Sequence, residues 1–219
     1  MNFSSTCHVV HRALSQLPNF WDGKESVLFM RNHGCHNWRQ MEWPGWFFQF
    51  QCERILSREC GFEIPGPAYG NVRFDGLSVI PWDFKVHTDN AGQAKVPTNG
   101  YQEVMQALQQ YGKVGFIIAC GDAIFDDENA SFKAWHDSLK GETSAYEQER
   151  IRRGAPSRRR KAGFSFRSLE FIFVDPTTIQ YCGRFQSGMR NSNGTPRLAK
   201  VMLDLNDNRL EHLSLRMEN

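Results

Sequence analysis

Residues 74–87 read FDGLSVIPWDFKVH, and this stretch decides the fold. It is rich in Val, Ile, Phe and Trp, and Pro81, which cannot donate to a ladder, marks a break between two short strands. Side chains alternate faces along a strand, so Asp83 and Lys85, two positions apart, point the same way. Asp75 opens the preceding strand, and pairing of the two strands as a hairpin brings its carboxylate beside Asp83. Two carboxylates converging at a strand end make a hard, oxygen-rich site suited to Mg²⁺. A neighbouring lysine can hold or deprotonate a water, or stabilise charge building on a phosphate. The apolar flanks Leu77, Val79, Ile80, Phe84 and Val86 place this group on a buried sheet.

Upstream, residues 43–60 read WPGWFFQFQCERILSREC. Pro44 falls in a first helical turn, where a missing N–H costs nothing, and GFEIPGP (61–67) supplies a stop and a turn. Trp43, Trp46, Phe47, Phe48 and Phe50 are expected in the core of this helix, although such a block could also stack bases. Downstream, Tyr101, Val104, Met105, Leu108 and Tyr111 recur at the helical period. VGFIIACG (114–121) and SLEFIFVD (168–175) read as buried strands. Val9, Val10, Ala13, Leu14 and Leu17 suit a short amphipathic helix ending before Pro18, and residues 18–40, rich in His, Asn and Gly, read as irregular. The stretch 199–217, AKVMLDLNDNRLEHLSLRM, reads as a hairpin turning at Asn206-Asp207-Asn208, with a helix as the alternative.

The order helix, strand, strand, helix, strand implies an α/β fold, a mixed central β-sheet flanked by helices. A chain of 219 residues is long enough to bury one core. We expect a single domain over residues 1–219, with 122–163 inserted between two buried strands, polar, helical around 132–139 and then basic.

No apolar run approaches the roughly 20 residues of a membrane span, and MNFSSTCHVVHRALSQL lacks the basic-then-apolar order of a secretory leader. The six cysteines, at 7, 35, 52, 60, 120 and 182, therefore read as reduced thiols, and the protein is expected to be globular and cytoplasmic. Without export the sequons at Asn2, Asn129 and Asn193 carry no meaning.

The net charge of +2 hides a contrast. RIRRGAPSRRRK (150–161) holds seven basic residues and no acidic one, which leaves −5 for the rest of the chain. Acidic residues collect just before it, at Asp122, Asp126, Asp127 and Glu128. A concentrated basic segment points to a polyanion partner more than a uniformly high pI would, although a solvated loop has the same composition. Arg150, Arg152, Arg153, Arg158, Arg159, Arg160 and Lys161 are the candidate residues for such a polyanion, which the nuclease resemblance described next would make DNA. Gly154, Pro156 and Ser157 interrupt the run, so part of it is expected to form a loop.

The pattern Asp75, then Asp83-x-Lys85 on a strand pair, preceded by a helix and followed by a helix and a strand, resembles the PD-(D/E)xK nuclease superfamily over roughly residues 40–120. Phe74 stands where the motif name has proline, and only seven residues separate the two acids. With the chain's size and no helicase or ATPase region, the resemblance is to type II restriction endonucleases. It implies a restriction-endonuclease-like core, Asp75 and Asp83 as Mg²⁺ carboxylates, and Lys85 placing the attacking water. It also implies an acid from the preceding helix, Glu42 first and Glu53 second. The activity implied is Mg²⁺-dependent, sequence-specific hydrolysis of phosphodiester bonds in double-stranded DNA, by a homodimer if the target is palindromic.

Two other readings stand beside it. One is a nuclease that recognises a DNA structure or a mismatch. The other is a basic nucleic-acid-binding module without enzymatic activity, zinc-stabilised through Cys7, His8, His11, His33, Cys35 and His36, although their spacing matches no common finger.

Overall fold

The computed structural model describes residues 3–65, 74–141, 143, 145–157, 159–190 and 195–217. The chain opens with helix α1 (Phe3–Leu14), whose Cys7, Val10, Ala13 and Leu14 are buried. Strand β1 (Phe20–Asp22) leads directly into α2 (Gly23–Asn32), because the Asp22 carboxylate accepts the Lys24 and Glu25 N–H groups at 2.8 and 3.0 Å. Helix α3 (Trp43–Glu59) carries Pro44 in its first turn and buries Trp43, Phe47, Phe48, Cys52, Ile55 and Leu56. Strands β2 (Gly76–Leu77) and β3 (Pro81–Thr88) form the hairpin.

Strand β4 (Lys95–Gly100) runs straight into α4 (Tyr101–Tyr111), where the Glu103 carboxylate accepts the Gly100 N–H at 2.9 Å. Gly112 ends that helix at φ 73°, a left-handed conformation that glycine adopts without strain. Strand β5 (Val114–Phe125) is followed by α5 (Ser131–Lys140). The acidic residues before α5 are its cap: Asp126 accepts the Phe132 and Lys133 N–H groups at 2.9 and 2.8 Å, and Asp127 that of Ser131 at 2.9 Å. Then come α6 (Ala145–Arg152), β6 (Lys161–Val174), β7 (Gly183–Phe185), β8 (Lys200–Asp204) and β9 (Glu211–Arg216).

The central sheet runs β1-β6-β5-β3-β2, with β9 joining β6 on the edge that β1 also occupies. It is mixed, as expected: β3 is parallel to β5, and the other pairings are antiparallel. Alternation sends Trp82, Phe84, Ile117, Ala119, Phe164, Leu169 and Phe171 to one face, beneath α1, α2 and α3. Phe116, Ile118, Cys120, Ile172 and Val174 point to the other, beneath α4 and a small sheet ordered β4-β8-β7. The aromatic block of α3 lies in the first core as expected, Trp46 and Phe50 being only partly buried.

Several expectations are corrected. Residues 18–40 are largely helical, because an Asp22 cap and the inward-facing Val27 and Met30 organise α2. The last two strands exist but do not pair, since β8 bonds to β4 and β7 whereas β9 bonds to β6. The excursion between the central strands is narrower than 122–163, because β5 continues to Phe125 and β6 begins at Lys161. All six cysteines are free thiols. No helix among the described residues is long and apolar enough to cross a membrane.

His136 fastens α5 to the body of the protein. It is buried, and its Nε2–H donates to the Trp38 carbonyl at 2.9 Å, while Nδ1 has no partner. Burial, then the charge of Lys140, pushes the imidazole down to about 4. The unfolded chain takes this proton near 6.5 and the native state only near 4, so protons favour unfolding between those values. Stability should therefore fall by about 3 kcal/mol from this residue as pH drops through that window. Denaturant titrations at pH 7, 6, 5 and 4 should show the loss in the native protein and a flatter profile in His136→Phe. Equal slopes in both would refute the assignment.

Candidate active site

The tight β2–β3 hairpin draws Asp75 and Asp83 together. The Ser78 N–H donates to the Ile80 carbonyl at 3.1 Å, and Trp82 Nε1 donates to Ser78 Oγ at 2.9 Å. The Asp75 N–H then meets the Trp82 carbonyl at 2.9 Å, and its carboxylate Oδ2 accepts the Phe84 N–H at 2.7 Å. Asp83 and Lys85 share one face of β3, opposite Phe116 and Ile118 of β5. Lys85 Nζ lies 2.7 Å from Asp83 Oδ1, 3.8 Å from Asp75 Oδ2 and 3.3 Å from the Phe84 carbonyl. The three residues singled out in the sequence are thus one cluster around a single ammonium.

Asp83 is only 1% exposed, and its Oδ2 is buried without a hydrogen-bond partner. Burial raises its carboxyl well above the usual range and Asp75 adds to the shift, against the pull of Lys85. Burial pulls the Lys85 ammonium down, but the Asp83 and Asp75 carboxylates outweigh it, so Lys85 is raised and remains charged at neutral pH.

Of the two candidate acids, Glu53 is the one whose carboxyl responds to the charge of Asp75. Burial pushes its carboxyl up to about 7, with the negative charge of Asp75 adding to the shift and the hydrogen bond from Gln49, 2.9 Å to Oε1, opposing it. Glu42 lies at the far end of the same helix, roughly 16 Å away at 1.5 Å per residue. Its carboxylate is 2.7 Å from Lys161 Nζ. Helical periodicity alone does not separate the two.

The structure adds polar residues on the same sheet face that the sequence reading missed. His87, two positions beyond Lys85, is half-buried, with Nε2 3.7 Å from Asp89 Oδ1. Arg167 bridges Asp89 and Asp122, 2.7 Å from each. Glu170, across β5 from Lys85, is buried and accepts from Ser168, Ser214 and His212 at 2.6, 2.9 and 2.9 Å. The alternation that paired Asp83 with Lys85 also reaches His87, so that residue was legible in principle.

The basic residues separate into distinct settings. Arg150 is held by Glu147, with both its nitrogen contacts under 3 Å, and Arg152 and Arg153 are each 2.6 Å from Glu149. The first three arginines therefore meet acids of α6, Arg153 from just beyond its end, and the count over 150–161 left those acids out. Arg159 is exposed, bonded to the Asp126 carbonyl at 2.8 Å. Arg160 is buried rather than displayed, and Lys161 begins β6 beside Glu42. Arg158 lies outside the described residues.

Among the described residues no group of three or more His, Cys, Asp or Glu side chains is arranged to cage a metal ion. Of the histidines named for zinc, His11 and His33 bond the Arg216 and Phe29 carbonyls at 2.8 Å. A Mg²⁺ ion asks for less, since it is commonly held by one or two carboxylates with waters and substrate phosphate oxygens. Asp75 and Asp83, with one buried carboxylate oxygen unsatisfied, fit that donor set. No protein-family model matches the chain, and no curated protein or solved structure matches it.

Proposed function

We propose that this chain is a Mg²⁺-dependent endonuclease that hydrolyses phosphodiester bonds in double-stranded DNA, with a restriction-endonuclease-like core and sequence-specific cleavage of the type II kind. The observation that carries the reading is the convergence of Asp75, Asp83 and Lys85 on one hairpin, with Asp83 Oδ2 buried and unpartnered. The arrangement of α3, β2, β3, α4 and β5 around that hairpin supports it.

In this reading Asp75 and Asp83 hold the cation, which when bound polarises the scissile phosphate and offsets its charge. Lys85, being charged, does not act as the base; its Nζ orients the attacking water and stabilises negative charge on the phosphate. Glu53, held near neutrality, accepts the proton at Oε2, the oxygen that Gln49 leaves free. The exposed Arg152, Arg153 and Arg159 contact the DNA backbone, where each neutralised phosphate adds about 0.9 to the salt slope. A palindromic target would be met by a homodimer.

The test incubates unmethylated phage DNA with the purified protein in Mg²⁺ or EDTA, beside Lys85→Ala and Glu53→Gln. Discrete fragments that need Mg²⁺ are expected, with Lys85→Ala slower by about 10²- to 10³-fold. Glu53→Gln should cut about 10²-fold more slowly and lose the rise in rate towards pH 7. Undiminished cutting by Lys85→Ala would refute the site. Mg²⁺-dependent cutting of branched or mismatched DNA alone would favour the structure-specific nuclease. A salt-sensitive gel shift without cleavage would favour the binding module.

A further inference from the structure

We propose a second, separate site: the cleft between α5 and α6 binds a phosphoryl anion, anchored by Arg160. The cleft, of about 520 Å³, is lined by Arg39, Lys133, Lys140 and Arg160 against only two carboxylates, Asp137 and Glu147. Both carboxylates are already engaged. Asp137 takes Lys133 at 2.7 Å and Lys140 at 3.1 Å, and Glu147 takes Arg150 at 2.7 Å.

Arg160 is left over. It is 6% exposed, its Nε has no hydrogen-bond partner, and its nearest carboxylate oxygen, on Asp137, stands 3.9 Å away, beyond hydrogen-bond reach. A buried guanidinium whose Nε lacks an acceptor and whose one ion pair is long is costly, and an anion in the cleft would offset that cost. The planar donor fork matches two phosphoryl oxygens, which a lysine cannot do. Crowding of positive charge is visible at Lys140, whose ammonium is held below its usual range by burial, with Arg160 and Lys133 adding to it despite Asp137.

A neighbouring depression of about 370 Å³ shares Lys133 and Arg160 but carries Asp126, Asp127 and Glu128, so an anion is directed to the first cleft and not to this one. The size of the first cleft admits a nucleotide. The phosphoryl group could belong to a free nucleotide or to a nucleic acid strand, and the chemistry at Arg160 is the same for both. This site does not depend on the Asp75–Lys85 cluster and stands whether or not the chain cleaves DNA.

The experiment is calorimetric titration of the full chain with inorganic phosphate, with AMP, and with a short duplex bearing either a 5′-phosphate or a 5′-hydroxyl, at constant ionic strength. Phosphate or AMP should bind the native protein and Lys85→Ala alike. Binding should weaken at least tenfold in Arg160→Gln and in Lys140→Gln, and stay unchanged in Arg184→Gln, whose side chain packs on Tyr101 elsewhere. Tighter, Arg160-dependent binding of the 5′-phosphorylated duplex would assign the site to a strand terminus. Equal Arg160-dependent binding of both duplexes would assign it to backbone phosphate, and binding of phosphate and AMP alone to a free nucleotide. Absence of binding by all four probes, or binding that neither substitution weakens, overturns the proposal. Should Arg160→Gln fail to fold, Lys140→Gln, at the last residue of α5, carries the test.

Discussion

Asp83→Asn is expected to abolish cleavage and, at the same time, to raise the melting temperature. The carboxylate is buried on β3 against Phe116, one oxygen is unpartnered, and its ionised form is disfavoured by burial and by Asp75. Ionising Asp83 is therefore harder in the native state than in the unfolded chain, even with Lys85 beside it. Ionisation at neutral pH pulls toward the unfolded chain, and this penalty grows as pH rises above the ordinary carboxylate range. The amide is isosteric and uncharged, and still offers Lys85 an oxygen. A gain of about 1 kcal/mol, or about 2–4 °C in Tm, should follow at pH 7. On the proposed reading the cleavage rate should fall on the order of 10³-fold, one of the two proposed cation ligands being gone. Mg²⁺ should raise the Tm of the native protein and leave that of Asp83→Asn unchanged, because only a state that binds the ion gains from it. Calorimetric scans with and without Mg²⁺, beside cleavage assays, test both halves. A lower Tm in the variant, or a shared Mg²⁺ response, would remove Asp83 from the role given to it.

Gly121→Ala should be the most damaging single methyl in the sheet. The residue sits on β5 where the register with β6 shifts, and a Cβ there would lie 2.0 Å from the Ser165 carbonyl oxygen and 3.0 Å from the Phe164 ring. The first obstacle is backbone in the central ladder, which cannot swing aside as a side chain could. Overpacking of this kind costs at least about 3 kcal/mol, or about 6–12 °C in Tm for a chain of this size. The control is Gly45→Ala in the first turn of α3, where nothing lies within 4 Å of the added carbon. It should be neutral or stabilise by about 0.5–1 kcal/mol. Urea denaturation of both variants decides the matter, and equal midpoints would mean the ladder yields where it is described as rigid.

The parts of the fold that were legible in the sequence are those whose signal is local. Val104, Ala107 and Leu108 repeat at the helical period, and Val114 to Cys120 form an unbroken apolar run, so α4 and β5 lie where the pattern places them. The Asp83–Lys85 pairing rests on strand alternation alone and was equally accessible. What was hidden depends on partners distant in sequence. β8 and β9 look like one hairpin because a turn joins them, yet β8 finds β4 some 100 residues upstream and β9 finds β6. The choice between Glu42 and Glu53 needed the direction of α3 relative to the hairpin. The setting of the basic segment was hidden in a different way: charges counted within 150–161 omit Glu147 and Glu149, one helical turn back.

The shared edge of β6 has a consequence for the order in which the protein can be assembled. β1, near residue 20, and β9, near residue 213, dock end to end on that one strand, and His11 Nε2 meets the Arg216 carbonyl at 2.8 Å. A ribosome delivers residue 20 early but residue 216 only after nearly all of the sheet is made. The first helix and strand must therefore wait, partly unsupported, until β9 emerges to close the edge beside them. Contacts spanning so much of the chain are slow to form and leave an open strand edge in the meantime. Native structure, and with it any activity of the hairpin site, is thereby postponed until β9 has been made.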